Sequence, residues 1–320
     1  MLQIDMTRAI AYQAAVRAGT DTWDSLAEAF SAEWGVDVSG NALRKRVYRL
    51  MKHNERVKHA ATLRSVAQRS DIYDASYLVQ EDGTVRFGII GDPHFGSTAF
   101  SLKAWEHAVK VIVESGCDAI LIPGNYIHGI AKHDAVGHVT TNISMQLDMM
   151  LAACKKFNIP IFFIDGYDHE GWSIKRDGVV VGEMLIGRAK DPKYVFLGVF
   201  KGDMHFGNPN SFLRVMHPGG GTSKGNTSQA AFNYVLSEFQ RGVTNLPRAI
   251  VMGHYHKFDI CQPAHNVTVL QAGSIEGSGA HAQQNNLYSN QGVAIADVVL
   301  DPETRQIIAF GGLWYPAPLE

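Results

Sequence analysis

Residues 85–96, VRFGIIGDPHFG, join an apolar run to a loop that contains glycine, aspartate and histidine. The run VRFGII predicts a buried strand, and Asp92 and His94 follow it on the loop at its carboxyl end. Open α/β sheets bind ligands at that end of their strands. A carboxylate and an imidazole two residues apart on an extended segment point the same way and suit Mn, Fe, Zn or Ni. Alone, such a pair is weak evidence for a metal site.

The same arrangement recurs at four further predicted strand ends. Asn125 and His128 follow the run CDAILI, and Asp168 and His169 follow IPIFFI. His217 closes the run SFLRVMH, and His254 and His256 follow RAIVM. A single histidine is more often a hydrogen-bonded loop or core residue than a ligand. Five equivalent positions are hard to explain in that way, so the pattern predicts a metal site.

The order of the predicted strands and helices along the chain predicts its fold class. From residue 84 to 320, strands first alternate with helices, which are expected at 102–115 and 142–157. After Tyr194 the strands become denser, and one helix, 228–241, interrupts them. Alternating units followed by a strand-rich half predict an α/β sandwich with two mixed sheets.

The first 55 residues predict a separate, small all-α domain. Three helices are expected at 7–18, 22–34 and 39–53, with Thr22 and Ser39 as N-caps. Residues 41–70 contain nine lysines and arginines against one glutamate. A helix, a glycine turn and a basic second helix resemble a DNA-binding helix-turn-helix module. The outward positions that would contact DNA are Asn41, Arg44, Lys45, Arg46 and Arg49.

Two interpretations of this domain stay open. It binds DNA through its basic helix, or it is a solvated helical hairpin that packs on the second domain or on a partner. Residues 56–83 are polar and predict a linker or connecting helix.

Bulk properties narrow the class of protein. The formal net charge of -2 gives no global argument for nucleic-acid or membrane binding, so any basic surface must be local. Three cysteines without a CxxC pair suit a reducing compartment. The apolar runs are too short to cross a bilayer, and the N-terminus lacks a signal-peptide core. We therefore expect a cytoplasmic protein with no membrane partner.

The ordered motifs GDPHFG, GNYIHG, GYDHEGW, VMHPGGG and GHYHK resemble the calcineurin-like metallophosphoesterases over about residues 85–315. This resemblance implies a four-layer αββα sandwich. The stretch from HPGGG to QAGSIEG is especially similar to phage and archaeal members, and the histidine of GNYIHG resembles that of repair nucleases.

The resemblance implies a role for each motif residue. Asp92, His94 and His256 would hold one metal ion, and Asp168, His217 and His254 a second. Asn125 occupies the position of the aspartate that bridges both ions. His169 matches a histidine that stabilises the phosphate or protonates the leaving group, and His128 matches an extra catalytic histidine of the nuclease branch. The implied cofactors are two divalent ions, with Mn²⁺ preferred and Fe, Zn, Ni or Mg as alternatives.

Two positions depart from the family pattern. Asn125 offers one neutral oxygen where a carboxylate would bridge two cations, and Asp168 stands where the family has an asparagine. Either one carboxylate has moved across the site, or Asn125 impairs the enzyme.

The expected function is metal-dependent phosphodiester hydrolysis by a DNA nuclease, of the kind that phages encode. The alternatives are a small-nucleotide phosphodiesterase and a catalytically impaired DNA-binding protein. DNA is the expected partner, and the resemblance also implies a homodimer. His133 and His138 could approach the substrate, Tyr255 could stack on a base, and the glycines at 219–221 would let the backbone approach a ligand, but each also fits a bland surface or packing role.

Overall fold

A computed structural model describes residues 6–34, 37–45, 47, 72–130, 137–219, 228–240, 245–264, 266–277 and 288–318. The chain divides into two compact units, Met1–Ser65 and Val66–Glu320. The boundary between them, and the predicted linker as far as residue 71, lie outside the described residues. We consider each unit by itself.

The first unit is helical. It contains α1 (Met6–Ala18), α2 (Trp23–Trp34) and α3 (residues 40–45). Thr22 Oγ1 accepts from the Ser25 N–H at 3.1 Å, and Ser25 Oγ accepts from the Thr22 N–H at 3.0 Å. Such reciprocal bonds satisfy donors that a helix leaves unpaired at its start. Ser39 Oγ accepts from the Ala42 N–H at 3.3 Å, so both predicted N-caps are confirmed.

The apolar faces of α2 and α3 form the core of this unit. Phe30 and Leu43 are almost fully buried, and Leu26 and Val47 pack in the same cluster. These residues recur at the three- and four-residue spacing of a helix face, which explains why the helices associate. Within the described residues, the buried face of α3 continues as far as Val47.

The second unit contains the remaining elements. Its strands are β1 (Tyr73–Asp74), β2 (Thr84–Ile89), β3 (Ala119–Ile122), β4 (Ile161–Asp165), β5 (Tyr194–Val199), β6 (Lys201–His205), β7 (Phe212–Met216), β8 (Ala249–Met252), β9 (Asp259–Ala264), β10 (Val267–Gln271), β11 (Gly292–Leu300) and β12 (Ile307–Pro316). Its helices are α4 (Leu102–Glu114), α5 (Ile143–Cys154), α6 (Glu170–Asp177), α7 (Val181–Ala189) and α8 (Ser228–Gln240), besides a 3₁₀ turn, Ser76–Leu78. None of the described helices has the length and apolarity needed to cross a bilayer.

The strands form two six-stranded mixed sheets. Sheet I has the order β12-β11-β2-β3-β4-β5. Strands β2 to β5 are parallel, and β11 pairs antiparallel with both β2 and β12. Sheet II has the order β1-β6-β7-β8-β10-β9, with β7, β8 and β10 parallel. Parallel neighbours end at the same edge of their sheet, so each sheet collects the loops that follow its central strands at one edge.

Three apolar clusters define the layers. Phe87 and Phe162 of sheet I pack with Val215 and Leu270 of sheet II, so the sheets lie face to face. The other face of sheet I is covered by α4, α5 and α7. The other face of sheet II is covered by α8, through Ala231 and Val235. The expected α/β sandwich of four layers is confirmed.

Residues 72–83, the last part of the predicted linker, belong to this unit. Tyr73 and Asp74 pair in parallel with Met204 and His205 of β6. Ala75 and Leu78 are buried in the core between the sheets. The sandwich therefore begins about ten residues before its first long strand.

A buried ion pair joins α8 to sheet II. Arg214 on β7 donates two bonds of 2.7 Å to the Asp203 carboxylate, and a third of 3.3 Å to Glu238 on α8. These three side chains are 8%, 14% and 10% exposed. Arg86 and Asp297 make the same two-pronged pair on sheet I, but they are 46% and 42% exposed.

We expect Arg214→Met to lower the free energy of unfolding by roughly 3–5 kcal/mol, because it leaves two carboxylates buried without their counter-charge. Arg86→Met is the matched control, and its expected cost is about 1 kcal/mol or less because water screens that pair. Urea denaturation followed by circular dichroism measures both. Equal losses in the free energy of unfolding for the two variants would contradict the view that the ion pairs of Arg214 hold α8 on sheet II.

Candidate metal centre

The predicted site residues lie on loops at the carboxyl ends of five strands. β2, β3 and β4 are parallel neighbours in sheet I, and β7 and β8 are parallel neighbours in sheet II. Backbone pairing continues beyond β2 and β3, where the His94 N–H donates to the Asn125 carbonyl and the His128 N–H to the Phe95 carbonyl, each at 2.9 Å. These bonds fix the first two loops side by side.

Asp92 is the residue on which the loops of both sheets meet. Its side chain is fully buried, and its Oδ2 accepts from the backbone N–H of His254 at 2.7 Å. The same oxygen lies 3.1 Å from His256 Nε2, while Oδ1 lies 3.6 Å from His217 Nδ1. Burial alone would raise the pKa of Asp92, but the nearby His217 and His256 lower it below its ordinary value. The side chain is thus anionic and is one of three that could hold a metal ion.

His94 and His256 complete one group of ligand atoms with Asp92. Their Nε2 atoms are 3.3 Å apart, and the ligand atoms of all three residues lie within 4.8 Å of one another. Two imidazole nitrogens at this separation can share one cation. Burial would lower the pKa of His256, but its contact with Asp92 raises it. A raised pKa means that a proton competes with a metal ion for His256 more strongly than it does at an ordinary imidazole.

His217, His254 and Asp168, the residues predicted for a second ion, are neighbours, and the ring centroids of His217 and His254 are 5.3 Å apart. His217 Nδ1 donates to the Pro123 carbonyl at 2.7 Å, which leaves Nε2 with its lone pair. Burial lowers the pKa of His217 to about 4, so the ring is neutral near pH 7. His254 Nδ1 lies 3.1 Å from Asp168 Oδ2. Burial would raise the pKa of Asp168, but its bond to His254 brings that pKa down to about 2.

Asn125 is buried beside these groups. Its backbone N–H donates to Glu170 Oε2 at 3.1 Å, and a Cβ added to Gly166 would lie 2.1 Å from its Oδ1. Gly124 and Gly253 leave similarly little room, since an added Cβ would lie 2.6 and 2.8 Å from His217 Nδ1. Glycine at these positions lets three loops approach one another closely.

The unpaired buried atoms test whether a metal fits. Among the predicted metal ligands, four buried atoms have no hydrogen-bond partner in the described part of the chain: Asp92 Oδ1, His94 Nδ1, Asn125 Oδ1 and His217 Nε2. Buried polar atoms are nearly always paired, with protein, water or an ion. Imidazole, carboxylate and amide donors suit divalent transition metals, so these residues fit one or two such ions.

Five of the predicted ligands have a left-handed backbone. Asp92, His94, Asn125, His254 and His256 have φ angles between 34° and 88°. Residues other than glycine rarely adopt this conformation, and when they do it is often at functional sites. The strain is an independent sign of function, although it does not identify a ligand.

The two predicted catalytic histidines lie against the first group. The ring centroids of His94 and His169 are 4.4 Å apart, those of His128 and His169 are 5.2 Å apart, and His169 Nδ1 donates to the His128 carbonyl. The ligand-type atoms of these three histidines also lie within 4.8 Å of one another. The structure brings them together, and their roles stay predictions.

Two carboxylates that sequence analysis did not assign shape the site. Glu170 accepts from the N–H groups of Asn125, Ile127 and Gly166, and burial raises its pKa to about 8. Glu276 lies within 4.0 Å of three site histidines. The signal for Glu170 was the motif DHEGW, and that for Glu276 was the stretch QAGSIEG, in which a carboxylate closely follows β10.

Other predicted residues lie at or away from the centre. His138 lies against His128, with ring centroids 4.7 Å apart. Tyr255 packs on the apolar cluster under α8, which supports its packing role. Gly219 contacts Tyr167, whereas His133 and residues 220–221 lie outside the described residues.

The predicted DNA-contacting residues belong to the first unit. Asn41, Arg44 and Lys45 are exposed on α3, as predicted for outward positions. Arg46 and Arg49 lie outside the residues whose side chains are described.

Comparison with known proteins finds likeness at the level of structure. No protein-family profile matches the chain, and no curated protein matches it significantly. Solved structures that resemble it include YfcE, a phosphoesterase from E. coli, at 14% identity and a TM-score of 0.37, covering 71% of this chain and 98% of that one. GAP50, an anchor in the inner membrane complex of Plasmodium, has 13% identity and a TM-score of 0.42 over 72% and 89% of the two chains. Likeness at this level carries no information about substrate, so the chemistry is inferred from the site itself.

Proposed function

We propose that this chain is a metal-dependent phosphodiesterase that acts on DNA. The observation that carries the proposal is the buried cluster of unpaired ligand atoms where the two sheets meet. Asp92, His94 and His256 would hold one ion, Asp168, His217 and His254 a second, and Asn125 would lie between them. When bound, such ions polarise a phosphoryl group and lower the pKa of a coordinated water.

The two histidines beside the metal centre would provide a proton for the leaving oxygen and hold the proton donor in place. Because His169 Nδ1 is committed to the His128 carbonyl, Nε2 is the atom that would exchange a proton with the leaving oxygen. The ring is held against His94, so its position is set before the substrate binds. His128, next to it, would offset charge on the same oxygen.

DNA is favoured as the substrate by the first unit. Arg44 and Lys45 are exposed on α3, and they belong to a stretch of sequence, residues 41–70, with nine lysines and arginines against one glutamate. A local basic surface on a small helical unit suits the phosphate backbone of DNA. The rival enzyme is a phosphodiesterase for small nucleotides, which needs no such surface.

Asn125 favours a second candidate, a DNA-binding protein with little catalysis. The amide is neutral and packed against Gly166, so the centre lacks one anionic oxygen between the two ligand groups. A neutral bridge is a weak partner for two divalent cations.

We expect Asp92→Asn and His217→Asn to lower hydrolysis of bis-p-nitrophenyl phosphate with Mn²⁺ by on the order of 10²-fold or more, because each removes a ligand. His107→Asn, on α4 away from the centre, is the control. Turnover by Asp92→Asn close to that of the parent would contradict the site assignment.

We expect Asn125→Asp to raise Mn²⁺-dependent turnover by about tenfold or more, because a carboxylate can bridge two ions with two oxygens. Hydrolysis of the same substrate by both forms measures this. Turnover by the Asp form alone would identify the parent chain as the impaired binding protein. Equal turnover would mean that Asp168 and the other carboxylates already suffice.

We expect the pair Arg44→Ala/Lys45→Ala to weaken binding to duplex DNA, and to reduce the slope of log affinity against log salt by about 2. Fluorescence anisotropy at several salt concentrations, in the presence of a chelator, separates this from metal binding. Lys155→Ala/Lys156→Ala, an adjacent exposed pair in the other unit, is the matched control. An unchanged slope would remove the main support for a DNA substrate.

A further inference from the structure

Glu276 is a buried carboxylate beside the metal centre that belongs to neither predicted ligand group. It lies five residues after β10 and is 8% exposed. Its Oε2 is 3.6 Å from His94 Nε2 and 4.0 Å from His256 Nδ1. Its Oε1 is 3.8 Å from His128 Nδ1. One carboxylate thus faces two predicted ligands of the first ion and one predicted catalytic histidine.

The carboxylate is held in this position from several sides. Ser97, on the loop after His94, donates its hydroxyl to Glu276 Oε1. The Glu276 N–H donates to Ser274 Oγ at 2.9 Å, and that hydroxyl donates to the Asp92 carbonyl at 2.9 Å. Glu276 also forms a backbone bridge with Phe100. Its charge is therefore fixed relative to the loop that bears Asp92 and His94.

The location matters because the centre contains a neutral amide at Asn125. Two carboxylates, Asp92 and Asp168, are the anionic members of the two ligand groups. Asp168 lies beside His254, on the side of the second group. Glu276 lies beside His94 and His256, on the side of the first group. In an interior of low dielectric constant, a fixed negative charge at this distance stabilises a bound cation without touching it.

We propose that Glu276 is a positioning residue that supplies, from outside the ligand set, the negative charge that Asn125 does not provide. It faces the ring nitrogens of His94 and His256 and offsets part of the charge of the first ion. This inference rests on the proposed metal centre. It adds a residue outside the predicted ligand groups and couples that residue to the unusual asparagine.

The test measures Mn²⁺ affinity by isothermal titration calorimetry on the full chain. Glu276→Gln keeps the size of the side chain and an acceptor for Ser97, but removes the charge. We expect it to weaken binding of the tighter Mn²⁺ ion by about 10–100-fold, as loss of an outer-shell partner does. Glu303→Gln, an exposed glutamate in the turn between β11 and β12, is the matched control and should bind as the parent does.

A double-mutant cycle separates charge from structure. In the background of Asn125→Asp, Glu276→Gln should cost about threefold or less in affinity, because the new carboxylate supplies the missing charge. A merely structural role would cost the same in both backgrounds, and that result would overturn the inference.

The remaining outcomes also decide the question. If the parent chain binds Mn²⁺ and Glu276→Gln binds it equally well, the role of Glu276 is wrong while the metal centre stands. If the parent binds no Mn²⁺, both proposals fail. If Glu276→Gln does not fold, Ser97→Ala is the alternative variant. It keeps the Glu276 carboxylate but removes the hydroxyl that holds it in place. That variant should weaken Mn²⁺ binding several-fold, and parent-like affinity would overturn the inference.

Discussion

The buried carboxylate of Asp92 is the constraint on which the site depends. Asp92 follows β2 of sheet I, yet its carboxylate accepts the backbone N–H of His254, which follows β8 of sheet II. The carboxylate would be costly to bury without donors, so the loops of both sheets must turn toward it. Once they do, His217 and His256 are within reach of its two oxygens. The packing of the two sheets therefore also brings the site residues together.

Much of the fold followed from local pattern, because the central strands are short apolar runs with polar residues at their ends. β3 and β4 are buried along their whole length, as parallel strands covered on both faces must be. Local sequence pattern did not predict α6 and α7. The first is short and polar, and the second contains two glycines, so neither shows a strong helical period. It missed β1 because two residues of strand carry no pattern at all.

The site was predictable where residues follow strands and unpredictable where tertiary contacts decide. The strand ends predicted a shared site, and the resemblance implied the grouping of Asp168 with His254, which lie 3.1 Å apart. The contacts of Glu276 with His94 and of Glu170 with Asn125 join segments that are far apart in the sequence or come from different loops. No spacing rule reports such contacts. Glu170 holds the backbone of the position where a neutral amide replaces the expected carboxylate, while Glu276 faces the histidines of the first group.

The left-handed backbone of five site residues has a consequence for how the chain tolerates change. Each such residue costs free energy of folding, since glycine would adopt the same angles with less strain. Selection for stability alone would therefore favour glycine at His94 or Asn125, each of which has a buried side-chain atom without a hydrogen-bond partner in the described part of the chain, and would dismantle the centre. Because these residues are strained, the free energy that keeps the chain folded must come from other parts of the sandwich. Random mutation should therefore produce stabler, inactive variants of this chain more readily than stabler, active ones.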